Sequence, residues 1–297
     1  MAAPGSPLSP IARLLTVVRL VHPFPSLLDG AVVALVALVA GGGPWIAGVL
    51  GVSMTLLQFA IGTVNDVVDA RTDAGLKSGK PIPTGLVSVR RARLVAVVAA
   101  AGGLTLSLAG GPGLVLLAGV GLAIGLAYDL WAKGTTLSWL PLAAGIPLLP
   151  LYGWYGATGQ IPGLFIVLVP AAANAGTALA IANAIVDMER DLAAGNTSIA
   201  LALGWERASR LAIALQVVVA VLAVATSTAL GAPTGWVAAV LLAAIAPIGG
   251  AALGLLAATR EAIGLRELSW EIQAVGTGLL AVAWLGALSA TSGAPAS

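Results

Sequence analysis

Cysteine is absent from this 297-residue sequence, and charged side chains make up only 9% of it. Without cysteine the chain has no disulfide and no thiolate metal site, and its redox compartment cannot be inferred from cysteine usage. A soluble domain carries about 25% charged residues, so the scarcity of charge excludes an ordinary soluble protein. In their place, 59% of the residues are hydrophobic. This composition indicates an integral membrane protein.

Apolar runs long enough to cross a bilayer, which takes about 20 residues, recur along the whole chain. They lie at roughly 24–42, 45–64, 94–110, 112–131, 137–157, 161–186, 209–230, 234–258 and 271–290. The connection between the third and the fourth run, at Gly110-Gly111-Pro112, is very short. The expected fold class is therefore all-α, a polytopic membrane helical bundle with about nine transmembrane helices.

The fourteen Lys and Arg residues are placed unevenly with respect to these spans. All of them lie in the N-terminal segment or in the second, fourth, sixth and eighth connections. Cytoplasmic loops are the ones enriched in Lys and Arg, so this pattern predicts a cytoplasmic N-terminus. The net charge of +2, without a patch of mixed aromatic and basic residues, does not favour a nucleic-acid partner.

Six of the twelve acidic residues fall into two short clusters, and Glu189 is the one whose position does not enter the spacing below. Asp66, Asp69 and Asp73 stand at i, i+3 and i+7, so their carboxylates share one face of a helix. Asp187 and Asp191 stand at i, i+4 and share a face in the same way. Like charges held this close repel each other unless a cation lies between them, and Mg²⁺ prefers carboxylate oxygens. The clusters therefore predict a site for Mg²⁺ on the cytoplasmic side.

The two clusters occupy equivalent positions, at the end of the second and of the sixth span. Asn183 stands four residues before Asp187, as Asn65 stands four residues before Asp69, so the repeat adds Asn183 to the predicted metal-binding set. Repeats of this kind in membrane proteins place a site at the interface between the halves. We expect one domain, 1–297, with a weak internal repeat at about 17–131 and 137–258 and a ninth helix after it.

Basic side chains accompany the acidic clusters. Mg²⁺ usually completes its coordination shell with water and phosphate oxygens rather than with protein ligands alone. Carboxylates, metal and basic residues together suit a diphosphate, which the metal bridges and the basic residues neutralise. A diphosphate whose body is soluble in lipid is a prenyl diphosphate. The basic residues predicted to bind it are Arg71, Lys77, Lys80, Lys133 and Arg190.

The motifs in this sequence resemble those of a known family, the UbiA superfamily of intramembrane prenyltransferases. They are Asn65-Asp66-x-x-Asp69-x-x-x-Asp73, Tyr128-x-x-x-x-Lys133 and Asp187-x-x-x-Asp191. The resemblance covers most of the chain and implies a nine-helix bundle with a central cavity open toward the lipid. It implies that the Asn and Asp residues of these motifs bind Mg²⁺-diphosphate. It also implies that Lys133 contacts the diphosphate and that Tyr128 lies near the reacting carbon.

One position departs from the family pattern. Where many members have Arg-Pro after the first motif, this chain has Lys80-Pro81. Lysine keeps the positive charge but lacks the bidentate fork of arginine. Lys80 is therefore a weaker match to the family's diphosphate ligand than an arginine would be.

The resemblance implies Mg²⁺-dependent transfer of a prenyl group from a prenyl diphosphate to a lipophilic or aromatic acceptor. Mg²⁺ and the basic residues would stabilise the departing diphosphate. An apolar cavity would keep water from the allylic cation, and the ring of Tyr128 would stabilise that cation by about 0.5–2 kcal/mol. No residue in the sequence stands out as the base that accepts the final proton.

Other interpretations remain open at this point. The acidic clusters are also typical of solvated helix ends, Tyr128 of an interfacial anchor, and Lys133 of a topology signal. A membrane terpene cyclase would share the diphosphate site, whereas a cation transporter would need acids near mid-membrane, where only Asp29 lies on this span map. Membrane lipid is an expected partner of the chain. The identity of the acceptor is open among hydroxybenzoate, naphthoate, a porphyrin and a lipid alcohol. Prenyl length and oligomeric state are open too.

Overall fold

The structure is a computed structural model that describes residues 9–70, 79–257 and 262–291. Within these ranges the regular secondary structure is entirely helical. The α-helices are, in chain order, α1 (Pro10–Val18), α2 (Pro23–Val39), α3 (Pro44–Asp69), α4 (Val89–Ser107), α5 (Gly111–Ala127), α6 (Leu140–Gly145), α7 (Leu148–Thr158), α8 (Phe165–Ala194), α9 (Ile199–Leu203), α10 (Trp205–Ala229), α11 (Thr234–Leu256) and α12 (Ile263–Thr291). The expected class, an all-α membrane bundle, is therefore confirmed.

The number of membrane crossings differs from the expectation of nine. By length and hydropathy, six helical stretches of the described chain are able to cross a membrane, or seven if the bent pair Arg13–Val21 and Pro23–Val39 is one span. The stretch Val89–Ala132 counts once, although its 44 residues are about twice what one crossing needs. The run expected at 137–157 is divided into α6 and α7, and each is too short to cross alone. The count of nine is therefore not confirmed.

Local sequence sets where the helices that carry the acidic clusters begin and end. Pro44 lies in the first turn of α3, where its missing N–H costs no hydrogen bond. Gly195 ends α8 in a left-handed conformation, with φ of 70°, which glycine adopts without steric cost. The second acidic cluster consequently lies in the last turns of α8, next to a change in chain direction.

Small residues allow the helices around the interior to approach closely. A Cβ atom on Gly30 of α2 would lie 2.7 Å from the carbonyl oxygen of Gly51 on α3, and one on Gly51 would lie 2.9 Å from that of Gly30. One turn further along α2, a Cβ on Gly153 of α7 would lie 2.7 Å from the carbonyl oxygen of Val33. Such contacts between small residues are how helices associate in lipid, where apolar burial supplies little driving force.

A buried polar cluster joins three of these helices. The hydroxyl of Tyr152 on α7 lies 2.7 Å from Ser53 Oγ on α3 and 2.7 Å from Ser107 Oγ at the end of α4. Both serines also donate to the carbonyl oxygen of Gly103. In an apolar environment an unpaired hydroxyl is costly, so the cluster fixes the relative positions of α3, α4 and α7.

Polar connections gather at one end of the bundle. Asp69, the last residue of α3, pairs with Lys133, which follows α5. The backbone N–H of Thr197, just after α8, donates to the carbonyl oxygen of Gly134 at 3.1 Å. The ends of α3, α5 and α8 therefore meet, and the residues of both acidic clusters come to the same end of the molecule.

Candidate functional site

The first acidic cluster lies in the last turns of α3. Asp66 is buried, with 3% of its surface exposed. Its Oδ1 lies 2.8 Å from Nε2 of His22 and accepts a hydrogen bond from the ammonium group of Lys80. Its Oδ2 is buried and has no hydrogen-bond partner within the described part of the chain. Three residues of the sequence prediction lie outside the described residues, namely Arg71, Asp73 and Lys77.

The chain after α5 completes this side of the site. It forms a π-helical turn, Tyr128–Ala132, a rare element that often occurs at functional sites. Lys133, directly after the turn, forms an ion pair with Asp69. Within the turn, Asp129 is buried and its Oδ1 accepts a hydrogen bond from Asn65 Nδ2 at 2.7 Å. The π turn thus brings a lysine and a carboxylate against the acidic end of α3.

The second acidic cluster faces a small polar pocket of about 40 Å³. Asn183, Asp187 and Asp191 line this pocket from α8, and Tyr128 and Lys133 line it from the π turn and the residue after it. The i, i+4, i+8 spacing on α8 explains why the three side chains share one side of the pocket.

The predicted diphosphate-binding cations differ in their positions. Lys133 lines the polar pocket. Lys80 follows α3 and pairs with Asp66, while Arg190 forms an ion pair with Asp187 of its own helix. Arg190 is absent from the pocket lining among the described residues.

Lys133 and Tyr128 connect the two clusters. Lys133 pairs with Asp69 of the first cluster and lines the pocket that contains Asp187 and Asp191 of the second. Tyr128 lies within electrostatic range of both Asp69 and Asp191. Residues from both clusters therefore surround one region at the end of the bundle.

The donor types in this region suit a divalent cation. Among the described residues, no three His, Cys, Asp or Glu side chains form a ready metal-binding group, and lysines pair with Asp66 and Asp69. Carboxylate and amide oxygens are nevertheless the ligands that Mg²⁺ prefers. The Oδ2 of Asp66, which has no hydrogen-bond partner among the described residues, is a buried acceptor that a cation would satisfy. The residues present therefore fit Mg²⁺.

An apolar cavity of about 260 Å³ lies on the other side of Tyr128. Its walls come from α2, α3, α5, α6, α7, α8 and α12, and polar side chains are few in it. Asp29 and Gln58 are among those few, and Trp270 and the ring of Tyr152 also line the wall. Tyr128 lines both this cavity and the polar pocket. A molecule with an anionic head in the polar pocket and an apolar body in the cavity would therefore contact Tyr128 at the point where head and body join.

Two residues of this region were not predicted from the sequence. His22 contacts Asp66 although 44 residues separate them, and Asp129 accepts from Asn65 across 64 residues. Asp129 directly follows Tyr128 within the motif Tyr128-x-x-x-x-Lys133. Its position in this motif could therefore have identified it as a site residue. Nothing local to His22 indicates its partner.

Membrane-crossing helices with a polar, acidic pocket beside an apolar cavity define an integral membrane protein built to hold an amphiphilic molecule. The model of the UbiA prenyltransferase family matches residues 28–262. The chain therefore belongs to the UbiA prenyltransferase family and is a membrane prenyltransferase, which confirms the resemblance seen in the motifs. No curated protein sequence matches the chain at a significant level.

Solved structures of the family share the fold. One, concerning digeranylgeranylglyceryl phosphate synthase in membranes, has a TM-score of 0.68 and 16% identity over 93% of this chain and 99% of that chain. The apo structure of a UbiA homolog from Aeropyrum pernix K1 has a TM-score of 0.67 and 20% identity, covering 85% of this chain and 96% of that one. A UbiA homolog from Archaeoglobus fulgidus bound to GPP and Mg²⁺ has a TM-score of 0.65 and 18% identity, covering 89% and 99%. At these low sequence identities, the similarity to the solved structures shows the fold alone.

Proposed function

We propose that this membrane prenyltransferase uses Mg²⁺ to transfer a prenyl group from a prenyl diphosphate to a lipophilic or aromatic acceptor. The observation that carries the proposal is the position of Lys133. It pairs with Asp69 of the first acidic cluster and lines the pocket of the second, so a diphosphate bound there would meet both. The Archaeoglobus fulgidus homolog bound to GPP and Mg²⁺ supports the same class of ligands.

Mg²⁺ would be held by the carboxylate and amide oxygens of the two clusters. When bound, it supplies positive charge that offsets the negative charge of the diphosphate and the further negative charge that develops as the diphosphate leaves. The Oδ2 of Asp66, to which no residue in the described ranges donates a hydrogen bond, supports this placement on the first cluster. The shared pocket wall supports it on the second. The proposed ligands are Asn65, Asp66, Asp69, Asp73, Asn183, Asp187 and Asp191.

Basic side chains would bind the diphosphate directly. Lys80 and Lys133 each place an ammonium group among the acidic residues, and an ammonium group has three donors, so it can contact a carboxylate and a phosphate together. As the C–O bond of the prenyl diphosphate breaks, these donors stabilise the negative charge that collects on the leaving group. Arg71, Lys77 and Arg190 complete the proposed set.

The prenyl carbon would react at the junction of pocket and cavity, where Tyr128 stands. An allylic cation formed there faces the ring of Tyr128, a contact worth about 0.5–2 kcal/mol. The apolar lining of the cavity excludes the water that would otherwise quench the cation. The acceptor carbon then attacks in place of water, and the proton lost from that carbon passes to the departed diphosphate or to water.

We place this site on the cytoplasmic side of the membrane. The Lys and Arg residues lie in the N-terminal segment and in alternate connections of the sequence, and such connections are cytoplasmic. Lys80 and Lys133 of the site belong to two of those connections. The site is therefore on the same side of the membrane as the connections rich in Lys and Arg. A water-soluble leaving group would thus be released into the cytoplasm.

Diphosphate release by purified protein tests the proposal against a terpene cyclase. With Mg²⁺ and geranylgeranyl diphosphate alone we expect slow release, because a transferase needs a second molecule to consume the cation. Adding a phenolic acceptor should speed release and yield a prenylated product. Rapid acceptor-free release accompanied by a cyclic hydrocarbon would instead identify a cyclase. Release that does not depend on a divalent metal would contradict the Mg²⁺ assignment.

A further inference from the structure

Asp29 stands where two apolar cavities adjoin. It lines the cavity that reaches Tyr128 and also a second cavity of about 70 Å³, and its side chain is partly buried. Its helix, α2, starts directly after His22, which contacts Asp66. Seven residues of helix place Asp29 about 10 Å further from that end of the bundle. Asp29 is therefore separate from the acidic clusters but shares a cavity with Tyr128.

No hydrogen bond or ion pair joins Asp29 to any other residue in the described part of the chain. A carboxyl group inside a membrane bundle is costly without a partner and marks a functional position. A prenyl chain has no polar hydrogen, so it cannot satisfy this carboxyl group. A molecule that satisfies Asp29 must therefore carry a hydrogen-bonding group, as an acceptor with a hydroxyl group does.

Gln58 offers a second polar contact in the same cavity. Its amide nitrogen contacts only the sulfur of Met54, at 4.0 Å, among the described residues, and sulfur is a weak acceptor. Gln58 stands seven residues before Asn65 on α3, about 10 Å along the helix axis. Asp29 and Gln58 thus lie at a similar depth below the acidic end of the bundle.

The charge of the cavity discriminates among acceptors. Its described lining contains no Lys, Arg or His, and Asp29 is its one acidic residue. An acceptor with a carboxylate, such as a hydroxybenzoate or a hydroxynaphthoate, would find no counter-ion among these described lining residues. Burying an unpaired charge in such a cavity is strongly unfavourable.

We propose that Asp29 and Gln58 form the acceptor subsite, and that it takes an uncharged phenol, an aromatic acceptor with a hydroxyl group and without a carboxylate. The acceptor hydroxyl donates to Asp29, and the rest of the molecule extends along the apolar wall toward Tyr128. This inference rests on the proposed prenyl transfer, because it names the class of the second substrate.

A matched pair of probes tests the subsite by binding alone. We expect 2-naphthol to bind the purified protein at least about tenfold more tightly than 6-hydroxy-2-naphthoate, measured by isothermal titration in detergent. Asp29→Leu should weaken 2-naphthol binding by about tenfold or more, since the acceptor of the hydrogen bond is lost. Asp29→Asn retains an acceptor oxygen, so it should keep naphthol binding. Glu206→Gln, an exposed acid-to-amide change on α10, is the matched control.

Turnover gives a second readout. Asp29→Leu should raise the KM for 2-naphthol while leaving the KM for geranylgeranyl diphosphate unchanged, a split that general misfolding would not produce. Equal binding of both probes to the parent protein, or unchanged naphthol binding in Asp29→Leu, would overturn the subsite. Absence of any prenylated product with intact naphthol binding would instead count against prenyl transfer itself, so the two proposals fail separately.

Discussion

Asn65 Nδ2 donates a hydrogen bond to Oδ1 of Asp129 at 2.7 Å, and the two residues come from different helical segments. Asn65 belongs to the first motif, whereas Asp129 lies in the π turn that also presents Tyr128. The bond fixes which way the Asn65 amide points, leaving its oxygen for another partner. Residues that orient a ligand in this way typically change metal affinity or activity by about 10–100-fold when they are lost.

Asp129→Ala tests this orienting role. We expect kcat/KM for prenyl diphosphate to fall by about tenfold and the Mg²⁺ concentration for half-maximal activity to rise, because Asn65 loses its partner. Steady-state assays over a Mg²⁺ series measure both quantities. Asp129→Asn keeps an acceptor oxygen and should retain most of the activity. Parent-like Mg²⁺ dependence in Asp129→Ala would show that the bond does not orient Asn65.

Asp69→Ala tests the first acidic cluster as a metal and diphosphate site. We expect Mg²⁺-dependent turnover to fall by at least about a hundredfold, because the site loses a ligand and Lys133 loses its anchor. The protein should remain folded in detergent, because the Lys133 side chain that loses this partner is 31% exposed and can be hydrated. Monodispersity and thermal unfolding provide the folding check. Glu206→Ala, an exposed acid paired with Arg210, is the control and should keep full activity.

Cysteine labelling tests the orientation, and the absence of native cysteine makes single-cysteine variants straightforward. Cysteines at Thr84 and Ala194, both exposed, should react with a membrane-impermeant maleimide from the cytoplasmic side. A cysteine at Gln160, exposed in the connection between α7 and α8, should react from the opposite side. Labelling of all three from one side would contradict the proposed topology.

Tyr152→Phe tests the polar cluster that joins α3, α4 and α7. The change removes a hydroxyl bonded to Ser53 and Ser107 but keeps the ring, so we expect a loss of about 1 kcal/mol in stability. The thermal midpoint in detergent should fall by a few degrees, while turnover is nearly unchanged. Tyr155→Phe, on the same helix, is the control. A midpoint equal in both variants would mean that the cluster contributes nothing measurable.

The sequence by itself determined the environment and the chemistry of the acidic clusters. Membrane insertion follows from composition, and the shared helical face of Asn183, Asp187 and Asp191 follows from their spacing, because both are local properties of the chain. The motifs likewise identified the family. Neither property depends on which helices become neighbours.

Tertiary structure decided which residues meet. His22 and Lys80 reach Asp66 from different connections, and no local pattern marks those pairings, because they depend on how α2 and α3 pack. The sequence also left the role of Asp29 open. Its place between two cavities follows from close helix contacts such as Gly30 against Gly51, and such contacts exist only once the bundle has formed.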